Sequence, residues 1–399
     1  MPTLRSARVV DEFTVELTTS QPDSFLPINL TNLFTASPSH WQAEHQATGN
    51  AEAARAPFAA DPSGSGPFRV TGFVPRERLE LVPNETYWDP ARCSPLDRVV
   101  MVPLPEANAR TAALLSGQVD WIEAPAPDAI PQIEARGFVM YSNPQPHVWP
   151  WQLSFAEGSP WLDRNVRHAA NLCFDREELK ILLGGFMGAQ KGTVGPDHPW
   201  WGNPSFDIRY DLDEARRLMT EAGFSASNPL RVKAQTSASG SGHMPPIPMN
   251  EYMQQALREC YFDVELDVIE WNTLFTNWRR GATDPSANGA HAINVSFAAM
   301  DPFFAMVRFT WTGAFPPVSN NRGHFGNDEF DALIADARGS FDAEELDAAL
   351  ARLHARIVEE APFVRIAHDI GPRAMSPRVT GVVQPRSWFI DIATTDIEP

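Results

Sequence analysis

The chain has 399 residues, 32 Lys+Arg against 50 Asp+Glu, a formal net charge of −18 and 43% hydrophobic residues. That length exceeds one ordinary core and predicts two or more lobes, and the hydrophobic share fits a soluble globular protein with a substantial interior. So acidic a surface repels phosphate backbones and argues against a nucleic-acid partner, and no apolar run approaches the roughly 20 residues of a membrane-spanning helix.

In chain order, the opening MPTLRSARVVDEFTVELTT alternates around Val9, Phe13, Val15 and Leu17. It predicts a half-buried strand and has no apolar segment of the signal-peptide kind. Residues 47–60, rich in alanine and charge, read as helical or loose. The turn cluster DPSGSGPF leads into two strand-like runs, FRVTGFV and RLELVPN. A further strand, RVVMVPLP, comes after Tyr87-Trp88-Asp89-Pro90, and ANARTAALLSG predicts a helix capped by Gly117. Val119-Asp120-Trp121-Ile122 then returns to strand character.

The middle opens with the proline- and tryptophan-rich NPQPHVWPWQLSF and continues into a helix from Asp163, with Val166, Ala169, Ala170 and Cys173 on one face. LDEARRLMTEAG predicts a second helix ending at Gly223, and MNEYMQQALREC a third, leading into the alternating strand FDVELDVIEW. Near the end, DEFDALIADAR and AEELDAALARLHARIVEEAP read as amphipathic helices, the latter stopped by Pro362. From VRIAHDI to the C-terminus the chain is strand-like. This alternation of helices and strands predicts an α/β architecture. Cys93, Cys173 and Cys260 are far apart, form no metal-type pair, and are expected as buried small hydrophobes rather than a structural bridge.

The order of these segments resembles the family 5 extracytoplasmic solute-binding proteins, receptors of ABC importers for peptides, nickel and some sugars. GSGPFRVTGFVPRERLELVPNETYWD matches a turn of the form G-S/T-G-P-F/Y, two strands and a Tyr-Trp pair. There Gly64 and Gly66 would permit tight backbone geometry and Tyr87-Trp88 would plug a lobe. ANARTAALLSGQVDWI, SPWLDRNVRHAANLCFDREEL, DLDEARRLMTEAGF, LRECYFDVELDVIEWNTLF and GNDEFDALIADAR come in the family's order, with Tyr261 where glycine is common. The resemblance implies a two-lobed periplasmic-binding-protein-like fold of the class II type. Residue 1 falls where family members are well under way, so an N-terminally truncated version is expected. Lobe I is then expected over 1–176, without its first strand and small subdomain, lobe II over 177–367, and a return to lobe I over 368–399.

The resemblance further implies a receptor outside the cytoplasm that closes two lobes on a small-molecule or peptide ligand and delivers it to a membrane permease. No cofactor, metal or catalysis is implied. Along the expected cleft it aligns Trp149, Trp151, Phe297, Ala298, Asp301, Arg308 and Trp311. Trp149 and Trp151 read either as ligand walls or as hinge packing. Asp301 reads as a hydrogen-bond acceptor for ligand or as the N-cap of a helix starting at Pro302. Arg308 reads as an anion fork or a surface ion pair. In the peptide-binding branch a carboxylate ahead of the acid-Pro pair clamps the peptide's amino terminus. Here that position is Ala298, and Ala292 stands where some members have arginine. A buried terminal charge left unpaired costs several kcal/mol, so capture of free short peptides by their ends is not expected. Sugars, opines or other polar metabolites are the alternative, as is an inactive or non-transport use of the fold. Trp271 and Trp278 read as core packing, Trp200-Trp201 as an exposed aromatic edge, and His243-Met244 as a solvent-exposed loop. The motifs of serine hydrolases, zinc proteases and P-loop proteins are absent.

Overall fold

The computed structural model describes residues 3–239, 242–297 and 301–398. Its contacts divide the chain into two units: residues 1–27, 142–372 and 386–388 form the first, and residues 28–141, 373–385 and 389–399 the second. The expected lobe boundaries at 176 and 367 therefore both fall inside the first unit. The strand preceding the helix from Asp163 lies in the middle of that unit's sheet, so the chain has already entered the unit before the helix begins.

The N-terminal alternation folds as an antiparallel hairpin, β1 (Leu4–Asp11) and β2 (Thr14–Thr19), rather than as one half-buried strand. Val9, Phe13 and Val15 stay exposed, Phe13 at 91%. Phe25 anchors the segment by stacking on Phe303, with ring centroids 3.2 Å apart.

The second unit begins with helices α1 (Pro38–Thr48) and α2 (Ala51–Ala60). An antiparallel meander comes next, β3 (Phe68–Val74), β4 (Arg78–Pro83) and β5 (Val99–Met101). Gly64 and Gly66 precede it with no positive φ and open space where a Cβ would stand, so neither position demands glycine. Trp88 is 74% exposed and plugs nothing. Helix α3 (Ala107–Leu115) does end as expected, with Gly117 at φ +74°. It is succeeded by β6 (Trp121–Glu123) and β7 (Val139–Tyr141).

The first unit is built on a six-stranded sheet. In chain order its strands are β8 (Val148–Leu153), β9 (Gly188–Ala189), β10 (Leu230–Thr236), β11 (Phe262–Val268), β12 (Ala292–Asn294) and β13 (Phe363–His368). Their spatial order is β11-β10-β12-β8-β13-β9. β10 runs parallel to β11 and β12, β8 antiparallel to β12 and β13, and β9 antiparallel to β13. Alternate residues face opposite sides of each strand, and both sides are covered.

One face, with Trp149, Trp151, Val232 and Ile366, packs helices α4 (Arg164–Leu172), α5 (Arg176–Leu182), α6 (Leu212–Glu221) and α7 (Pro246–Arg258). The other, with Val148, Ile293 and Phe363, packs α8 (Trp271–Arg280), α9 (Pro302–Val307), α10 (Asp328–Gly339) and α11 (Ala343–Glu360). Trp278 is core here, as expected; Trp200 packs against the same cluster and donates to Asp347 at 2.7 Å rather than forming an exposed edge.

Cys173, just after α4, and Cys260, just after α7, form a disulfide, contrary to the expectation of two buried thiols, while Cys93 is free and exposed. The four-helix face brings together two positions 87 residues apart, and their spacing alone gave no hint of this. After β13 the chain passes to the second unit, where β14 (Arg373–Met375) inserts between β6 and β7. The small core there consists of Leu114, Ile122, Ile133 and Ala374.

Candidate functional site at the carboxyl edge of the sheet

The strand directions decide where chemistry collects. β10, β12 and β13 run the same way, and β8 runs against them. The carboxyl ends of three strands, at Thr236, Asn294 and His368, therefore share one edge with the amino end of β8 at Val148. Open α/β sheets place ligands outside their carboxyl ends, so the connections leaving this edge are the candidate site. Their described residues are 142–147, 237–239, 242–245, 295–297, 301 and 369–372.

A buried amide network fixes the edge. Trp151 Nε1 donates to Asn250 Oδ1 at 2.7 Å, and Asn250 Nδ2 donates to Asn294 Oδ1 at 2.8 Å and to Thr236 Oγ1 at 3.2 Å. Asn294 Nδ2 closes the network on the Pro150 carbonyl at 3.0 Å. Trp151 and Asn250 are fully enclosed, so each of these bonds satisfies a group that water cannot reach.

At the centre lies Asp369, fully buried directly after β13. Its Oδ2 accepts from the His243 amide at 3.1 Å, Trp388 Nε1 at 3.2 Å and Trp149 Nε1 at 3.5 Å, while Oδ1 accepts from the Gly371 amide at 2.7 Å. His243 Nδ1 lies 3.3 Å from Oδ2. Burial opposes ionisation of this carboxyl, but the hydrogen bonds and the charge interaction from His243 outweigh it and bring the pKa down to about 2. The carboxylate thus ties two separate segments, at His243 and Trp388, to the sheet edge. Beside it the His147 ring lies 4.6 Å from the Trp388 ring, and its Nδ1 pairs with Gln145 Oε1 at 2.7 Å. Burial pushes His147 down to about 4, so it is neutral at pH 7.

The seven residues expected along a cleft occupy different settings. Trp149 and Trp151 are fully buried on the central strand, where each indole N–H is engaged by a partner within the unit; they pack as framework. Phe297 is bridged to Val148 and stacks on Phe309 at 3.9 Å. Ala298 lies outside the described residues. Asp301 is the N-cap of α9, its Oδ1 accepting from the Phe303 amide at 2.7 Å and the Phe304 amide at 3.3 Å. Burial raises its pKa while those two amides pull it down.

Arg308 is half-buried against the rings of Phe304, Trp278 and Phe309, and the Asn320 side-chain oxygen accepts from its guanidinium. Among the described residues it forms no surface ion pair; burial lowers its pKa to about 10. Trp311 lies under the Arg338 guanidinium, 4.3 Å from the ring centroid. His243, expected as a solvent-exposed loop residue, is instead held by Asp369, and Met244 is buried. Ala292 is a fully buried residue of β12 opposite Leu153 and part of the apolar core. The Asp369 hub, with His147, His243 and Trp388, was missed from sequence. Its only sequence signal is a lone acid closing the strand-like run FVRIAH. Among the described residues no helix is long and apolar enough to cross a membrane, and no cluster of His, Cys, Asp and Glu could hold a metal ion.

Comparison with known proteins places this architecture. The chain is 25% identical over 384 residues to heme-binding protein A of Haemophilus influenzae, covering 96% of this chain and 68% of that protein. It is 23% identical over 328 residues to the periplasmic oligopeptide-binding protein OppA of the same organism, covering 80% of this chain and 58% of that one. The chain thus spans between about half and two thirds of the curated relatives it matches. A dipeptide-binding protein from Pseudoalteromonas sp. SM9913, solved with Met-Leu, shares the fold with a TM-score of 0.84 at 19% identity, covering 100% of this chain and 76% of that one. The relatives are binding proteins, and the fold is the two-lobed α/β fold of their group. With the family model matching residues 2–328, the chain belongs to the bacterial extracellular solute-binding proteins, family 5.

Proposed function

We propose that this chain is the solute-capturing receptor of an ABC importer, working outside the cytoplasm, binding its ligand without altering it and passing it to a membrane permease. The observation that carries this reading is the family match over residues 2–328 on a fold whose sheet directs four connections to one carboxyl edge. The Cys173–Cys260 disulfide supports an oxidising compartment. The ligand contacts we assign are the partly exposed groups around that edge and α9: His243, Trp388, Asp301, Arg308 and Trp311.

The ligand is a polar solute other than a short peptide held by its free amino terminus. Both carboxylates of the site are already engaged: Asp369 accepts from several internal donors, and Asp301 caps α9. The clamp position itself is Ala298. An incoming ammonium would have to displace internal hydrogen bonds to pair with Asp369, and Asp301 offers it only the one oxygen left over from the α9 cap.

A thermal-shift panel of di- and tripeptides, oligosaccharides and opines, with calorimetric titration of the hits, tests both statements. Stabilisation by a sugar or opine, with peptides silent, is the expected result. Tight binding of free dipeptides would overturn the ligand class and leave the receptor reading intact; no stabilisation by any class would overturn the receptor reading.

A further inference from the structure

Two buried arginines of this chain face a carboxylate, whereas Arg176 and Arg322 have backbone carbonyl or amide partners instead. Arg373 has Glu123 at 2.9 Å, and Arg167 has Glu360 at 3.2 Å. Arg365, on β13, faces no carboxylate among the described residues. It is 1% exposed, and its Nη1 reaches only the Thr193 hydroxyl at 3.4 Å. Nε and Nη2 are both shielded from solvent and have no hydrogen-bond partner among the described residues. The strand register shifts between Arg365 and Ala367, and the Arg365 guanidinium lies 5.2 Å from the Phe363 ring centroid on the α11 side of the sheet.

Its neighbours add positive charge or neutral donors. Arg176, buried, is bound by the backbone carbonyls of Arg365 and Asn171 and stacks on Phe174. His354 accepts the Thr193 amide at 3.0 Å and the Val194 amide at 3.3 Å on Nε2, so it offers no counter-charge. His368, next to Gly188, is close enough for Arg365 to suppress its protonation. Gly192 keeps the loop against His354, since a Cβ there would come within 2.5 Å of Nε2. A buried guanidinium with two idle N–H groups and no carboxylate is costly, and a water satisfies donors without compensating charge.

We propose that Arg365 Nε and Nη2 hold a buried monatomic anion, a halide, at the guanidinium edge opposite Nη1, which is taken up by the Thr193 hydroxyl. Two idle N–H groups of an enclosed guanidinium would leave the further oxygens of an oxyanion unpaired, which favours a single-atom anion. This site is separate from the carboxyl-edge site and makes no use of the solute reading.

The test compares the full chain in sodium bromide and sodium gluconate at equal ionic strength. The melting temperature should rise by about 3 °C for each tenfold increase in bromide above the dissociation constant. Crystals grown in bromide should give an anomalous peak within hydrogen-bonding distance of Arg365 Nε and Nη2. Arg365→Met, which replaces the charge by an apolar stem, should fold and lose the bromide response; if it fails to fold, the wild-type crystal decides. A melting temperature indifferent to bromide, no anomalous peak at Arg365, or an undiminished response in Arg365→Met would each overturn the proposal.

Discussion

The two units differ in how they reach stability. The first wraps both faces of one six-stranded sheet in helices, buries Trp149, Trp151 and Trp161 completely, and bolts one helical face with a disulfide. The second has a core of four buried residues, sheets of two and three strands, and leaves Phe73, Val100, Met101 and Val102 substantially exposed. Apolar burial is the main favourable term in folding, so the first unit is the stable body and the second the labile one. The first unit also contains strongly perturbed ionisable groups, and it is there that chemistry can reverse the ranking.

Acid should do so most strongly. Burial holds His147 and His368 down to about 4 and His354 to about 3, against an ordinary 6.5, and all three lie in the first unit. A base whose folded pKa is depressed costs nothing above 6.5. Below 6.5 the unfolded chain takes up protons that the folded one refuses. Each histidine then costs up to about 1.4 kcal/mol per pH unit until its folded pKa is reached. At pH 5 the three together should remove several kcal/mol from the first unit. Hydrogen exchange resolved by unit should show its protection falling between pH 6.5 and 4; unchanged protection would mean the three rings are solvated. Asp369 works the same way at lower pH: with its folded pKa at about 2 against 3.8, its contribution is complete above 3.8 and fades as pH falls toward 2.

Reduction comes next. The Cys173–Cys260 bond closes a separation of 87 residues, for which chain entropy gives about 4–5 kcal/mol. Cys173→Ala with Cys260→Ala should lower the urea midpoint of the first unit and leave the transition of the second in place. Equal shifts in both would show that the units unfold as one.

Leu114→Ala, in the small core, should cost about 3 kcal/mol and loosen the second unit alone, read as new proteolytic cleavage confined to it. The smallest effect is expected for Asp301→Ala, which removes the α9 cap at about 1 kcal/mol and lowers the melting temperature only slightly.

Local pattern carried much of this architecture. The amphipathic periods of α10 and α11, the acidic caps of α4 and α11, and the left-handed glycines after α3 and α6 are set by neighbouring residues and are visible in order along the chain. What was hidden depends on long range. The partners of Asp369 stand 220, 126 and 19 residues away, at Trp149, His243 and Trp388. No spacing rule spans such distances. The alternation that suggested a half-buried strand at Val9 and Val15 was real, but periodicity reports which residues share a face and not whether anything covers it. Trp149 and Trp151 were legible as aromatic anchors; that they serve the framework results from β8 being covered on both faces, which only the assembled sheet reveals.

The lone thiol has a consequence for anyone preparing the protein. Cys93 belongs to the second unit, whereas Cys173 and Cys260 both belong to the first. Either incorrect pairing formed during oxidative refolding would staple one unit to the other, and a carelessly oxidised sample would contain locked isomers whose ligand response says nothing about the native protein. Serine at position 93 removes that ambiguity without touching the native bond.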